Sequence, residues 1–231
     1  MSGNPVVGKL DVVGSTLFSY VYAVAGDDNK TVLKTRELRC DGHVHALRLE
    51  RSHMGAVRKY ILDHPSPSEA PSVASRARMA LDFAEGLGHC HARGVRCGDF
   101  STRNVLLFDG LRVKLCDFGA ATLKGSDFKP FQCYEVRYQL PPRGRDEDKV
   151  PRMAEELFAL GSAIHEVMEW RVPFWGVLDY ELDGRYADDD LPEVAADNIT
   201  ADVIRKCWQE EYESAGQVVV DLQRLLEGEV D

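Results

Sequence analysis

Basic residues are the scarce class in this chain. Its 28 Lys and Arg stand against 38 Asp and Glu, a net charge of −10. Nucleic acid and anionic membrane surfaces both recruit excess cations, so neither is an expected partner. Long apolar runs are absent as well: nowhere do the roughly 18 uncharged apolar residues of a bilayer-spanning helix follow one another. The longest uncharged stretch, Val12 to Gly26, is interrupted by Gly14, Ser15, Thr16 and Ser19 and is rich in β-branched and aromatic residues, so it reads as strands. The six cysteines contain no C-x-x-C pair and are expected to be reduced, mostly small core residues. His89-Cys90-His91 with Cys97 does not read as zinc ligands, because adjacent residues of a helix face different ways and no second ligand pair follows. The first residues lack the charged-then-apolar pattern of a secretory leader, and Gly is not second as myristoylation requires. The expected compartment is cytoplasmic.

What is present is enough apolar residue, 44% of 231, to bury a core in one large domain or two small lobes. Up to about Glu50 the pattern is strand-like, over Val6–Val13, Tyr20–Ala25 and Thr31–Lys34, with turn residues Gly26-Asp27-Asp28-Asn29 between. Helices dominate afterwards. Val57, Ile61 and Leu62 mark a short one that Pro65 and Pro67 end. From Val73, the spacing of Ala77, Ala80, Leu81, Ala84 and Leu87 gives a long helix finishing near Gly94. Val105–Leu107 and Val113–Leu115 flank the turn Asp109-Gly110 as a hairpin. Leu157, Leu160, Gly161, Ile164, Val167 and Met168 form the stripe of a buried helix stopping before Pro173. Two helices close the chain, around Val203–Trp208 and from Ser214, where Gln217 completes a capping box.

The chemistry sits around the central hairpin. Asp99 lies five residues before Asn104, and Asp117 heads Asp117-Phe118-Gly119. Phosphoryl transfer needs a carboxylate to orient the attacking hydroxyl and oxygen ligands to hold magnesium against nucleotide phosphates, and these residues supply both. Taken alone, Asp and Asn are also ordinary turn residues. Here the chain resembles the eukaryotic protein kinases: Cys97-Gly98-Asp99-Phe100-Ser101-Thr102-Arg103-Asn104 is similar to the catalytic loop and Cys116-Asp117-Phe118-Gly119 to the metal-binding motif. Ala46-Leu47-Arg48-Leu49-Glu50 with Gly55 and Val57 looks like the family's fifth strand and hinge. Glu156-Leu157-Phe158-Ala159-Leu160-Gly161 looks like the helix anchoring the catalytic loop, with Glu in place of the usual Asp, and Cys207-Trp208 matches a pair near the family's end. The flavour of these motifs is similar to a divergent group of fungal kinase-like proteins.

The resemblance implies an α+β, two-lobe fold: an abbreviated antiparallel β lobe over residues 1–51 and a mainly helical lobe over 52–231. It implies ATP and magnesium as cofactors and a protein substrate or regulatory protein as partner, with the oligomeric state unspecified. By the same resemblance Asp99 is the catalytic base and Arg103 faces the γ-phosphate. Asn104 and Asp117 hold the metal, Lys34 meets the α- and β-phosphates, and Val13, Gly14, Val21, Leu49, Glu50, Ser52 and Leu106 line the nucleotide.

Departures from the family pattern bear on activity. Gly14 is the lone glycine of the phosphate loop, with Thr16 and Ser19 in the other glycine slots, where side chains limit how closely backbone N–H groups approach phosphate. Between Lys34 and the strand at Ala46 there is no room for a helix and a strand, so the family's helix C is expected to be largely missing, and Glu37 alternates away from the face of Lys34. Cys97 and Gly98 replace the usual His and Arg, leaving no arginine there for a phosphorylated activation segment. Leu140-Pro141-Pro142 lacks the family's glutamate, and its arginine partner is missing from Gln209 to Ala215, so that ion pair is expected to be lost entirely. Tyr134, Tyr138, Thr122 and Ser126 are hydroxyls in the activation segment that nothing local distinguishes. Asp188-Asp189-Asp190 reads as a solvated loop. Three functions stay open: an active protein kinase, a pseudokinase that binds partners, and a small-molecule phosphotransferase, since Gly98-Asp99 with Asn104 also resembles the loop of aminoglycoside and choline kinases.

Overall fold

The computed structural model describes residues 12–16, 19–23, 30–36, 46–127, 134–146, 150 and 152–228. The chain divides into two compact units, Met1–His53 and Met54–Asp231. The first is an antiparallel sheet in the order β1 (Val12–Thr16), β2 (Ser19–Ala23), β3 (Thr31–Arg36) and β4 (Ala46–Glu50). Branched and aromatic residues such as Val21, Tyr22, Val32 and Leu33 suit the pleated surface. The first expected strand over Val6–Val13 is observed from Val12 and runs on to Thr16; residues 6–11 lie outside the described ones. A bulge between Val12 and Gly14 interrupts the β1–β2 register, the kind of irregularity that one extra residue inserts. β3 pairs directly with β4, Lys34 opposite Leu47. Residues 37–45, on which the expectations for helix C and Glu37 rest, lie outside the described residues.

The second unit is built on two long helices. α2 (Val73–Ala92) starts where the Ser72 side chain accepts the Ser75 N–H at 3.2 Å, a helix cap, and α3 (Arg152–Glu169) runs buried from Glu156 to Met168. α1 (Val57–Asp63) precedes them, and α5 (Ala201–Trp208) and α6 (Ala215–Gly228) complete the bundle. α5 lies close to α3 at Gly161, where a Cβ would stand 2.6 Å from that of Cys207. Trp208 fills the adjoining space and donates to Ser162 Oγ at 3.1 Å. In the expected capping box, Gln217 Oε1 takes the N–H of Glu213 at 2.7 Å instead of that of Ser214.

α4 (Asp179–Ala187) has no counterpart in the periodicity argument. Among its residues of described burial only Leu182 and Tyr186 are buried, and three acidic residues and Gly184 dilute its pattern to a single pair at i, i+4. Tyr186 is held edge-on by Phe158 at 6.2 Å and Phe174 at 5.5 Å, so packing rather than propensity fixes this helix. Two strand pairs lie beside the helices. β6 (Val105–Phe108) pairs with β7 (Arg112–Leu115), and β5 (Val95–Arg96) with β8 (Thr122–Leu123). No helix of the described residues is long and apolar enough to cross a membrane.

Candidate active site

Topology brings the two acidic motifs together. Asp99 lies in the connection from β5 to β6, Asp117 in that from β7 to β8, and both pairs of strands are hydrogen-bonded to one another. The Cys116 N–H donates to the Asn104 carbonyl at 2.9 Å, tying one loop to the other. Phe100 is buried and meets Phe83 of α2 edge-on at 6.3 Å, pinning the catalytic loop to the core. From α3, Glu156 Oε1 accepts the Gly98 N–H at 2.8 Å, while Oε2 bonds His91 Nε2. The glutamate thus reaches the loop as the motif implied. Gly98 has φ +72°, and a Cβ there would lie 2.4 Å from the Ala120 carbonyl oxygen. Replacing the family's arginine by glycine therefore does more than remove a cation: it lets the catalytic loop pack on the backbone just past Asp117-Phe118-Gly119.

Within the loop, Asn104 Nδ2 donates to the Asp99 carbonyl at 2.8 Å and to Asp99 Oδ2 at 2.9 Å. The second carboxylate oxygen, Oδ1, is buried without a hydrogen-bond partner. Desolvation pushes the Asp99 carboxyl up to about 6; the Asn104 hydrogen bond and Arg103 oppose the rise, while Asp117 and Glu135 add to it. Asp117 adopts a left-handed conformation, φ 52°, uncommon for a residue with a side chain and frequent at functional sites.

A buried ion network, not foreseen in the sequence, flanks this loop. Glu166 of α3 is fully buried. It receives Arg58 Nη2 at 2.7 Å, Thr102 Oγ1 at 2.7 Å and the Tyr138 hydroxyl at 2.7 Å, and Arg58 Nε bonds its Oε1. Burial works against the Arg58 charge, but Tyr138, Glu166 and Glu135 outweigh it and hold the guanidinium firmly protonated. Glu135 takes Arg58 Nη1 at 3.0 Å and, through its other oxygen, lies 2.9 Å from Arg103 Nε. The latter contact is an ion pair whose alignment falls short of a hydrogen bond. Arg103 stays half-exposed. No local signal could have found this set, since its members come from four separate segments.

Five of the eight buried side-chain atoms without a partner among the described residues belong to this region: Asp99 Oδ1, Ser101 Oγ, Thr122 Oγ1, Tyr134 Oη and Glu135 Oε2. Such atoms cost stability unless a ligand or water meets them; of the five, Glu135 Oε2 already faces the Arg103 guanidinium as an ion pair. The donor set suits magnesium. With its NH2 end fixed on Asp99, the Asn104 amide oxygen is turned away from that residue, and it and the Asp117 carboxylate are hard oxygen donors. Among the described residues no three His, Cys, Asp or Glu side chains form a metal cluster, so the remaining ligands would come from phosphates and water, as is usual for magnesium.

Asp99, Arg103, Asn104 and Asp117 all belong to the helical unit, and Leu106 lies between Asn104 and Asp117 in β6, bridged to Ala56. The other expected nucleotide residues belong to the sheet unit. Gly14 pairs with Val21, Val21 with Lys34, and Val32 with Leu49, so Gly14, Val21, Lys34 and Leu49 share one face while Glu50, opposite Thr31, lies on the other. Val13 falls at the bulge, and Ser52 follows β4.

Two expectations are corrected. The ion pair thought lost near the end of the activation segment is present with its charges exchanged. Glu210 accepts Arg145 Nη1 at 2.7 Å and Nη2 at 2.8 Å, and Arg143 Nη1 at 2.7 Å. The arginines, Arg145 foremost, hold the Glu210 carboxyl below its usual range against its partial burial. Arg143 also donates to the Trp208 carbonyl at 2.8 Å, so the bridge still joins the segment to α5. The four activation-segment hydroxyls are also no longer equivalent: Tyr138 is fully buried on Glu166 and Thr122 Oγ1 is buried, whereas Ser126 is exposed.

The profile of the protein kinase domain matches residues 25–223, and the chain belongs to that family. It is 27% identical over 178 residues to the serine/threonine/tyrosine-protein kinase HT1 of Arabidopsis thaliana, covering 72% of this chain and 43% of that protein. It is 28% identical over 147 residues to the probable serine/threonine-protein kinase gdt8 of Dictyostelium discoideum, covering 61% of this chain and 11% of that protein. With serine/threonine-protein kinase 12 of Arabidopsis thaliana it shares 28% over 148 residues, 59% and 32% of the respective chains. The chain spans less than half the length of each of these relatives.

Proposed function

We propose that this protein transfers the γ-phosphoryl group of magnesium ATP to a hydroxyl of a protein substrate. The observation that carries this reading is Asp99, fixed through Oδ2 by Asn104 while its buried Oδ1 has no partner, next to Asp117. A substrate hydroxyl donating to Oδ1 would satisfy that atom and be oriented for in-line attack, its proton passing to Asp99 as its oxygen bonds to the γ-phosphorus and the bond from that phosphorus to the bridging oxygen breaks, ADP leaving. With its pKa at about 6, the carboxylate is ionised at neutral pH and more basic than a solvated aspartate. Asn104 Oδ1 and Asp117 would hold magnesium, which when bound neutralises phosphate charge. Lys34 would hold the α- and β-phosphates, and the part of the Arg103 fork not spent on Glu135 would meet the transferring group. That the relatives are named as serine/threonine and serine/threonine/tyrosine kinases supports a protein hydroxyl as acceptor.

A second reading, a pseudokinase binding module, draws support from Thr16 and Ser19 standing where phosphate-loop glycines would be. Thermal melts with millimolar ATP, with and without magnesium, together with radiolabel transfer to a mixed-protein acceptor, distinguish the two. Catalysis predicts a magnesium-dependent rise, since a ligand at about a hundredfold its Kd adds about 2.7 kcal/mol. It also predicts transfer reduced at least a hundredfold in Asp99→Asn and in Asp117→Asn. A rise without any transfer establishes the binding module; transfer undiminished in Asp99→Asn overturns the assignment of the base.

A further inference from the structure

Charge is not spread evenly over this acidic protein. From Arg171 to Glu193 there are two arginines and seven acidic residues, a net of −5 and half of the chain's total of −10. The same stretch contains three of the most exposed large apolar side chains, Trp175, Leu178 and Tyr180, at 59%, 56% and 74% exposure. Beside Trp175 lies a cavity of about 410 Å³ lined also by Arg137, Val172 and Gly176. Scattered single apolar residues need no explanation, but three within six positions, the first of them lining a concavity, mark an interaction surface.

The surface is held ready. Arg137 donates to the carbonyls of Pro173, Phe174 and Val177 at 2.6–3.0 Å and to Asp179 Oδ1 at 2.8 Å. One guanidinium therefore fixes the loop carrying Trp175 and the start of α4, and its charge is consumed in doing so. Among the described residues, Arg185 pairs with Asp190 and Arg143 with Asp189, leaving the exposed Glu181, Asp188 and Glu193 to set the local potential. Exposed indole and phenol rings among carboxylates suit a partner that carries cations and apolar groups together, with Lys or Arg lying over the rings or beside the acids. The acidity argues against an anionic membrane, although Trp and Tyr alone would suit one.

We infer that the face formed by Trp175, Leu178, Tyr180 and their acidic neighbours docks a basic segment of a partner protein bearing leucine or aromatic side chains. This goes beyond phosphoryl transfer and does not depend on it. A fluorescent synthetic peptide alternating Lys with Leu and Trp, and its counterpart with Glu for Lys, are titrated against the full chain by anisotropy. The basic peptide is expected to bind saturably, more weakly as salt rises, and the acidic one not at all. Binding should weaken at least about tenfold in the double variant Trp175→Ser/Tyr180→Ser and again in Glu181→Lys/Asp188→Lys. All four positions are exposed, so unchanged melting temperatures serve as the check on folding. Affinity undiminished from that of the native chain in either double variant, or equal binding of the acidic peptide, overturns the proposal. So does capture of the chain by phosphatidylcholine vesicles in a Trp175-dependent manner without peptide binding. Neither outcome touches the transfer assay, so failure here is distinct from failure of the kinase reading.

Discussion

At the scale of single residues, burial of the Asp99 carboxylate costs stability. Its carboxyl is raised to about 6 by burial from the unfolded value of about 3.9, so the native state holds this proton more tightly than the unfolded chain does. The sign follows from linkage: native stability falls as pH rises between about 4 and about 6 and stays lowered above. Replacing Asp99 by Asn removes the ionisation while keeping a side-chain oxygen for Asn104 to meet. Asp99→Asn is therefore expected to melt higher than the native chain at pH about 7.5, by on the order of 1–2 kcal/mol or roughly 2–8 °C, and to show no gain at pH about 4. Calorimetry of both chains at the two pH values checks this; an equal gain at both pH values would falsify the burial argument. The placing of Asp99, Asn104 and Asp117 on either side of the hairpin was legible in the sequence, because their spacing from its strands fixes it. The exchanged pair of Arg143 and Arg145 with Glu210 was not, because a search for the usual glutamate and arginine passes over the same two charges in reverse order.

Elements are joined at this site by Glu135, which contacts Arg58 at the start of α1 and Arg103 in the catalytic loop. A carboxylate between two guanidinium groups does from within the chain what an added phosphate would do from outside, and it fits a loop in which Gly98 leaves no arginine for such a phosphate. Glu135 also raises the Asp99 pKa, whereas Arg103 lowers it. In Glu135→Gln, Arg103 is left unopposed, so the Asp99 pKa should fall and the acid limb of the pH–rate profile should move to lower pH. The melting temperature should fall in the same variant, because Arg58 loses this partner. A purely structural role for Glu135 would give the second change without the first, and an acid limb unmoved from that of the native chain removes the electrostatic assignment. The elements themselves were largely readable: α2 and α3 carry sustained apolar stripes, and Asp109-Gly110 marks the hairpin. α4 escaped because one buried pair, Leu182 and Tyr186, is too little periodicity to register, and tertiary contacts with Phe158 and Phe174 supply what propensity does not.

For the molecule as a whole, the distribution of the core decides how its two units depend on one another. The buried residues of the main apolar cluster that are described lie between Val57 and Leu222, and among the sheet-unit residues of described burial, 21–23, 30–35 and 47–53, Val32 alone is buried. The change from strand-like to helix-like pattern near Glu50 was visible in the sequence; this inequality of cores was not, because burial depends on what packs against each strand. A sheet of four strands of five or six residues lies below the size at which a unit is ordinarily stable alone, whereas the helical unit has a closed core and its buried polar network. A fragment spanning residues 54–231 is accordingly expected to fold on its own, with near-native far-UV ellipticity and one cooperative melt close to that of the whole chain. Under the proposed function it should also lose the magnesium-ATP thermal shift, since Gly14, Val21, Lys34 and Leu49 share a face of the missing sheet. Hydrogen exchange on the intact chain should show the sheet amides exchanging first, through openings that leave α2 and α3 protected. If the fragment is unfolded, the core does not reside where burial puts it; if it folds and still gains stability from magnesium ATP, nucleotide contacts belong to the helical unit alone and the role given to Lys34 is wrong.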